Sequence, residues 1–175
     1  MKSPLSFIVK IALSSQFVIL LCLSVSAQNE NGPPAFKPGL EINRDELISK
    51  IIEFDPTLVF KQKKDSIGLP NFVAVNSRGS NIQLIGKTDE LVLAKWIFIP
   101  SGDNATNDAE LQRIQWFCST LGGPNGWEWY SVAIAEINKA SDKPYSNEKA
   151  FNYNRKGEFK YSPKEKNYTL TFVPW

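Results

Sequence analysis

The apolar residues of this chain change their spacing along its length: helical, then alternating, then helical, then alternating again. Each spacing belongs to one backbone geometry, about 3.6 residues per turn for a helix and two for a strand. The order therefore predicts an α+β domain, with an antiparallel sheet of about six or seven strands packed against about three helices.

The first helical stretch starts at Asn43. "NRDE" is a capping-box pattern, with Asn43 as cap and Glu46 placed to reach back to its amide. Leu47, Ile48, Ile51 and Ile52 fall on one face, and Asp55-Pro56 stops the run. "TLVFK", "NFVAV", "NIQLIG" and "ELVLAKWIFI" then read as strands, rich in β-branched and aromatic residues and bounded by turn signals. "NSRGSN" offers a short hairpin with Gly79 available for positive φ, and "GKTDE" makes the next turn. By the same box logic, "NDAE" predicts a second helix capped by Asn107, with Glu110 as its partner. Leu111, Ile114, Phe117, Cys118 and Leu121 form its apolar stripe. Gly122 or Gly123 then supplies a left-handed stop, and Pro124 cannot continue the ladder. From Lys149 onward, Phe151 and Tyr153 precede "NRKG", Phe159 and Tyr161 follow it, and Tyr168, Leu170 and Phe172 close the chain. That pattern, with Gly157 in the turn, predicts a hairpin and one further strand.

Ahead of the folded unit, Lys2, Lys10 and the apolar run Ile11 to Leu23 have the form of a secretory leader. Val25 and Ala27 are the small residues of a cleavage site, so residues 1–27 are expected to be a signal peptide removed after Ala27. The run is too short to span a bilayer comfortably, and no integral membrane segment is expected after cleavage. Lipid anchoring at Cys22 is disfavoured by the bulk of Leu21. Residues 28–42, with three prolines, read as a flexible arm, and residues 43–175 as a single domain. The expected location is secreted or periplasmic.

Losing Lys2 and Lys10 brings the 20 basic residues of the whole chain level with its 18 acidic ones. Phosphate binding needs a clustered positive face, for which a neutral chain gives no overall argument, and no nucleic-acid partner is expected. "KQKK" at Lys61 to Lys64 reads as a solvated loop or strand end. Cys118 is then the sole thiol, which excludes an internal disulfide and leans towards a bacterial envelope setting. On its apolar stripe it reads as buried and inert.

Histidine is absent from the sequence. Ser-His-Asp and Cys-His catalysis and His-ligated zinc are thereby excluded, and a lone thiol excludes a thiolate zinc site. "SGDNATNDAE" reads as a capping loop, so neither a metal nor a cofactor is expected. What stands out is "TLGGPNGWEWYSVAIAE". On a helix, Trp127, Tyr130, Ile134 and Ile137 share a face, and Trp129 lies about 200° around from Trp127. The two rings cannot enter one core. An outward tryptophan is a good sugar or peptide platform, and Trp129, Trp127, Glu128 and Trp96 are the candidate ligand-binding residues. The function expected is an exported, non-enzymatic binding domain for a protein partner or an envelope polymer. The alternative is a carboxylate-dependent glycan hydrolase, for which Glu128 and Glu136 are the pair to test. Their separation, about 12 Å along a helix, argues against them.

Overall fold

The computed structural model describes residues 39–139, 143–152 and 154–175, so the leader, Cys22, most of the arm and Tyr153 lie outside the described residues. The described chain is α+β, with three helices and one seven-stranded antiparallel sheet. Helix α1 (Arg44–Phe54) is followed by strands β1 (Lys61–Ser66), β2 (Leu69–Val75), β3 (Asn81–Gly86) and β4 (Leu91–Phe98). Helices α2 (Asn104–Gly122) and α3 (Pro124–Lys139) form a hairpin, and β5 (Tyr145–Phe151), β6 (Arg155–Ser162) and β7 (Asn167–Pro174) complete the sheet. The strand order is β1-β2-β3-β4-β7-β6-β5. The chain thus runs twice through helix and meander, and the last strand of each meander pairs with the other at the centre of the sheet.

Asn43 caps α1 as its sequence predicts, its Oδ1 accepting from the amides of Asp45 and Glu46 at 3.0 Å each. Leu47 and Ile51 carry the buried stripe, while Ile52 is exposed. Ahead of α1, Leu40 is fully buried and its amide donates to the Leu91 carbonyl at 2.7 Å. Arg44 fastens the start of α1 to the sheet. Its Nη1 donates to the Gly86 carbonyl at 2.8 Å and its guanidinium lies 4.2 Å from the Phe72 ring centre.

Three local expectations are corrected. Thr57 to Phe60 are not in a strand; the first strand is the polar run Lys61–Ser66. It lies at the sheet edge and pairs only with β2, so it needs no apolar face, and its lysines discourage further strand addition. Helix α2 begins earlier than Asn107 because Asp103 is the cap, with its Oδ2 accepting from the Thr106 amide at 3.0 Å. Asn107 instead ties back to Ser101, accepting from its amide at 2.8 Å and donating to its carbonyl at 2.9 Å. Gly157 is no turn residue but an interior position of β6, paired with Phe172 of β7 and Lys149 of β5.

Strand alternation sends Ala74, Ile82, Leu84, Ala94, Trp96, Leu170, Phe172 and Phe159 to the face beneath the helices. The opposite face carries Gln83, Lys95, Thr171, Glu158 and Glu148 across neighbouring strands. Helix α2 ends at Gly123, with φ +63°, and α3 restarts at once on Pro124, whose ring suits a first helical turn. The two helices meet closely at Gly126. A Cβ there would lie 2.1 Å from the Cys118 carbonyl oxygen. Gly126→Ala should therefore force the helices apart and lower stability by about 3 kcal/mol or more, whereas Gly102→Ala, with open space around it, should stay within about 0.5 kcal/mol of the parent. Urea denaturation of the pair checks this.

Candidate functional site

The tryptophan spacing left open which ring turns inward, and packing decides it. Trp129 is 5% exposed, and its ring stands edge-on to Phe151, Phe159 and Phe172 at centroid distances of 5.2, 6.2 and 6.0 Å. Its Nε1 donates to Asn147 Oδ1 at 2.6 Å. Trp96 is 3% exposed, edge-on to Phe117 at 5.3 Å, and its Nε1 donates to Glu110 Oε1 at 3.3 Å. Both rings are enclosed and offer a ligand no face, so they leave the set of candidate contact residues. Trp127 is 47% exposed, and Glu128 beside it is also exposed.

Trp127 borders a shallow groove of about 430 Å³ between α2 and α3. Leu111, Tyr130 and Ile134 give the groove apolar area; Asp108, Gln112, Gln115 and Ser131 give it polar area. The Trp127 and Tyr130 rings are 6.5 Å apart at 31°. Tyr130 is largely buried and its hydroxyl donates to the Leu111 carbonyl at 3.3 Å, tying α3 to α2 beneath the groove. Ser131 Oγ has no hydrogen-bond partner among the described residues. A second hollow of about 130 Å³ shares Leu111 and Ile134 with the first and continues to Asn107, Asn138 and Tyr168. The first of them forms a trench along the helix seam, and neither is lined by a cationic side chain.

A further aromatic pair, exposed Phe54 of α1 and half-buried Trp116 of α2, lies with ring centroids 4.8 Å apart at a 47° tilt. Sequence reasoning assigned Phe54 to neither core nor surface. Its position at the end of α1, one residue before the cap Asp55, is the signal available.

The carboxylates considered for hydrolysis do not converge. Glu128 and Glu136 are both exposed on α3, and Glu136 pairs with Lys139 at 2.8 Å. A different pair is brought together in the interior. Arg113 Nη1 donates to Asp55 Oδ2 at 2.9 Å and to Glu110 Oε2 at 3.1 Å, and both acids are buried. Asp55 Oδ1 also accepts from the Thr57 hydroxyl at 2.6 Å, and Glu110 from Trp96. Every carboxylate oxygen in this cluster thus has a protein donor, which suits a brace between α1, α2 and β4. The sequence expected Glu110 as a capping partner; the earlier start of α2 places it a turn further in, over the sheet.

Burial pushes the Tyr130 hydroxyl far above its ordinary value of 10.0, with Cys118 and Tyr168 adding to the effect. The Cys118 thiol is likewise pushed up by burial, consistent with an inert core thiol. Among the described residues no cluster of three or more His, Cys, Asp or Glu could hold a metal ion, and no helix is long and apolar enough to cross a membrane. No protein-family model, curated protein or solved structure matches the chain.

Removing the Arg113 guanidinium would leave two buried acids without their shared cation. Arg113→Ala should cost about 3–5 kcal/mol, while Lys87→Ala, which breaks the exposed pair with Glu90, should cost under about 1 kcal/mol; thermal and urea unfolding distinguish them. Tyr130 predicts an alkaline effect of definite sign. Its folded pKa is raised, so its contribution is complete below the unfolded value of about 10 and is lost as pH rises above it. Tyr130→Phe should therefore flatten the fall in urea midpoint above about pH 10, and an unchanged fall would count against the assignment.

Proposed function

We propose that this chain is an exported, non-enzymatic binding domain whose ligand lies in the α2–α3 trench against Trp127. The observation that carries the reading is the exposed Trp127 ring at the edge of a groove furnished with both apolar and hydrogen-bonding side chains. Half-exposed tryptophan beside convergent polar groups is the usual chemistry of a recognition surface. Export rests on the leader-like Ile11–Leu23 run and the small residues before Gln28. A binding role fits the reactive groups on hand. Histidine is absent from the sequence, Cys118 is enclosed, and the trench is furnished with carboxamides, hydroxyls and the single carboxylate of Asp108. An envelope polymer and a protein partner are both ligands of this class.

The five indole N–H groups provide the test. In a ¹H–¹⁵N spectrum of the full chain, adding soluble polysaccharide and protein fractions of a bacterial envelope should move the Trp127 resonance. The Trp96 and Trp129 resonances should hold still. A Trp127 signal that none of the fractions moves would sink the reading.

A further inference from the structure

We propose that the β1–β2 hairpin docks on an anionic lipid surface, with Ile67 entering the bilayer interface and the lysines of β1 against the headgroups. This surface is separate from the trench and does not rest on the binding reading above. The hairpin reaches past its neighbour. Strand β2 pairs with β3 only from Asn71 onward, while Ser66 pairs with Leu69, so the tip at Ile67 and Gly68 stands clear of β3. A Cβ at Gly68 would meet nothing within 4 Å. Ile67 is 81% exposed, more than any other large apolar residue among those described.

The backbone does not favour isoleucine at this place. Ile67 and Gly68 have φ +50° and +74°, the pattern of the tight two-residue turn that Asn-Gly usually fills. A β-branched residue is rarely found there, because its side chain crowds the backbone. Ile67 thus holds a strained conformation and buries nothing within the fold, and such an outlier points to a contact outside it. Lys61, Lys63 and Lys64 lie behind it on the outer strand, all exposed, and none forms an ion pair among the described residues. Asp65 is the one acid of the hairpin. Guarding the sheet edge accounts for the lysines. It does not account for Ile67.

An apolar tip ahead of a cationic collar matches a membrane interface. Lys64 trails Ile67 by about 10 Å of strand, so its ammonium stays among lipid phosphates while the Ile67 side chain reaches the acyl boundary. The shape of the tip favours lipid over a protein. A stable protein interface covers on the order of 800 Å² per partner, more than a projecting two-residue tip presents, whereas lipid closes around any tip that enters it.

The chain freed of its leader is sedimented with vesicles of phosphatidylcholine alone and of equal parts phosphatidylcholine and phosphatidylglycerol. Binding should be saturable on the anionic vesicles, absent from the neutral ones and lost at high salt. The triple variant Lys61→Gln, Lys63→Gln, Lys64→Gln should weaken it about tenfold or more. Ile67→Asn should weaken it several-fold and at the same time raise the melting temperature, because asparagine suits the turn. Phe54→Ala, an exposed apolar side chain elsewhere, should leave vesicle binding unchanged. Equal sedimentation with neutral vesicles, or none with either kind, overturns the proposal. So does an Ile67→Asn variant that binds anionic vesicles as the parent does. Soluble polyglutamate stands for an acidic protein partner, and its capture without capture of anionic vesicles overturns the lipid assignment too.

Discussion

A tryptophan can press onto the middle of a sheet only where the strand beneath it gives up a side chain, and here that position is Gly157. A Cβ at Gly157 would lie 2.7 Å from Phe151 Cε2 and 3.1 Å from both Phe172 Cε1 and Trp129 Cη2. The missing side chain leaves room among these three aromatic rings. Seating Trp129 there fixes the rotation of α3 about its axis. Because two residues along a helix turn through about 200°, the same contact aims Trp127 at solvent. The core and the candidate binding surface are therefore set by one packing decision.

The helix pair is held to that rotation from both sides. Gly126 lets α3 close against the Cys118 carbonyl, and the Tyr130 hydroxyl bonds Leu111 across the seam. At the C-terminal end of α2, Arg155 of β6 donates to the Leu121 carbonyl at 2.9 Å, satisfying a group the helix cannot. Nearer its start, Arg113 and Glu110 join α2 to Asp55 at the end of α1 and to Trp96 of the central strand β4. The trench floor is thus tied to the sheet and to α1 by named contacts on several sides.

Much of this was readable from residue order. The Asn43 cap, the Gly123 stop and the stripe Ile114, Phe117, Cys118 and Leu121 follow from local rules, and local rules suffice where the chain's neighbours are its own next turns. The alternating apolar residues of β3 and β4 likewise declared their strands. What escaped was decided between distant segments. The strand Lys61–Ser66 has no apolar signature because its stability comes from pairing with β2 at an edge. Gly157 looked like a turn because a strand glycine makes sense only once the ring above it is known. The spacing of Trp127 and Trp129 gave their relative angle and not the absolute one, so both indoles stood as candidates until the packing of Trp129 was known. The Asp55–Arg113–Glu110 brace had a partial signal in the three-residue step from Glu110 to Arg113, but Asp55 is remote in the chain.

The chemistry of the trench follows from the same division of labour. Ionisable groups that need strong partners have been drawn inward: Asp55, Glu110 and Arg113 into one cluster, Arg44 onto Gly86 and Phe72. The charges at the exposed rim of the sheet are matched among themselves, Lys156 with Glu148 and Lys160 with Glu158 at 2.5 Å each. The seam between α2 and α3 is left with uncharged hydrogen-bonding side chains, apart from Asp108. Such groups keep one protonation state across physiological pH. A surface of this kind presents hydrogen-bond donors and acceptors rather than charge.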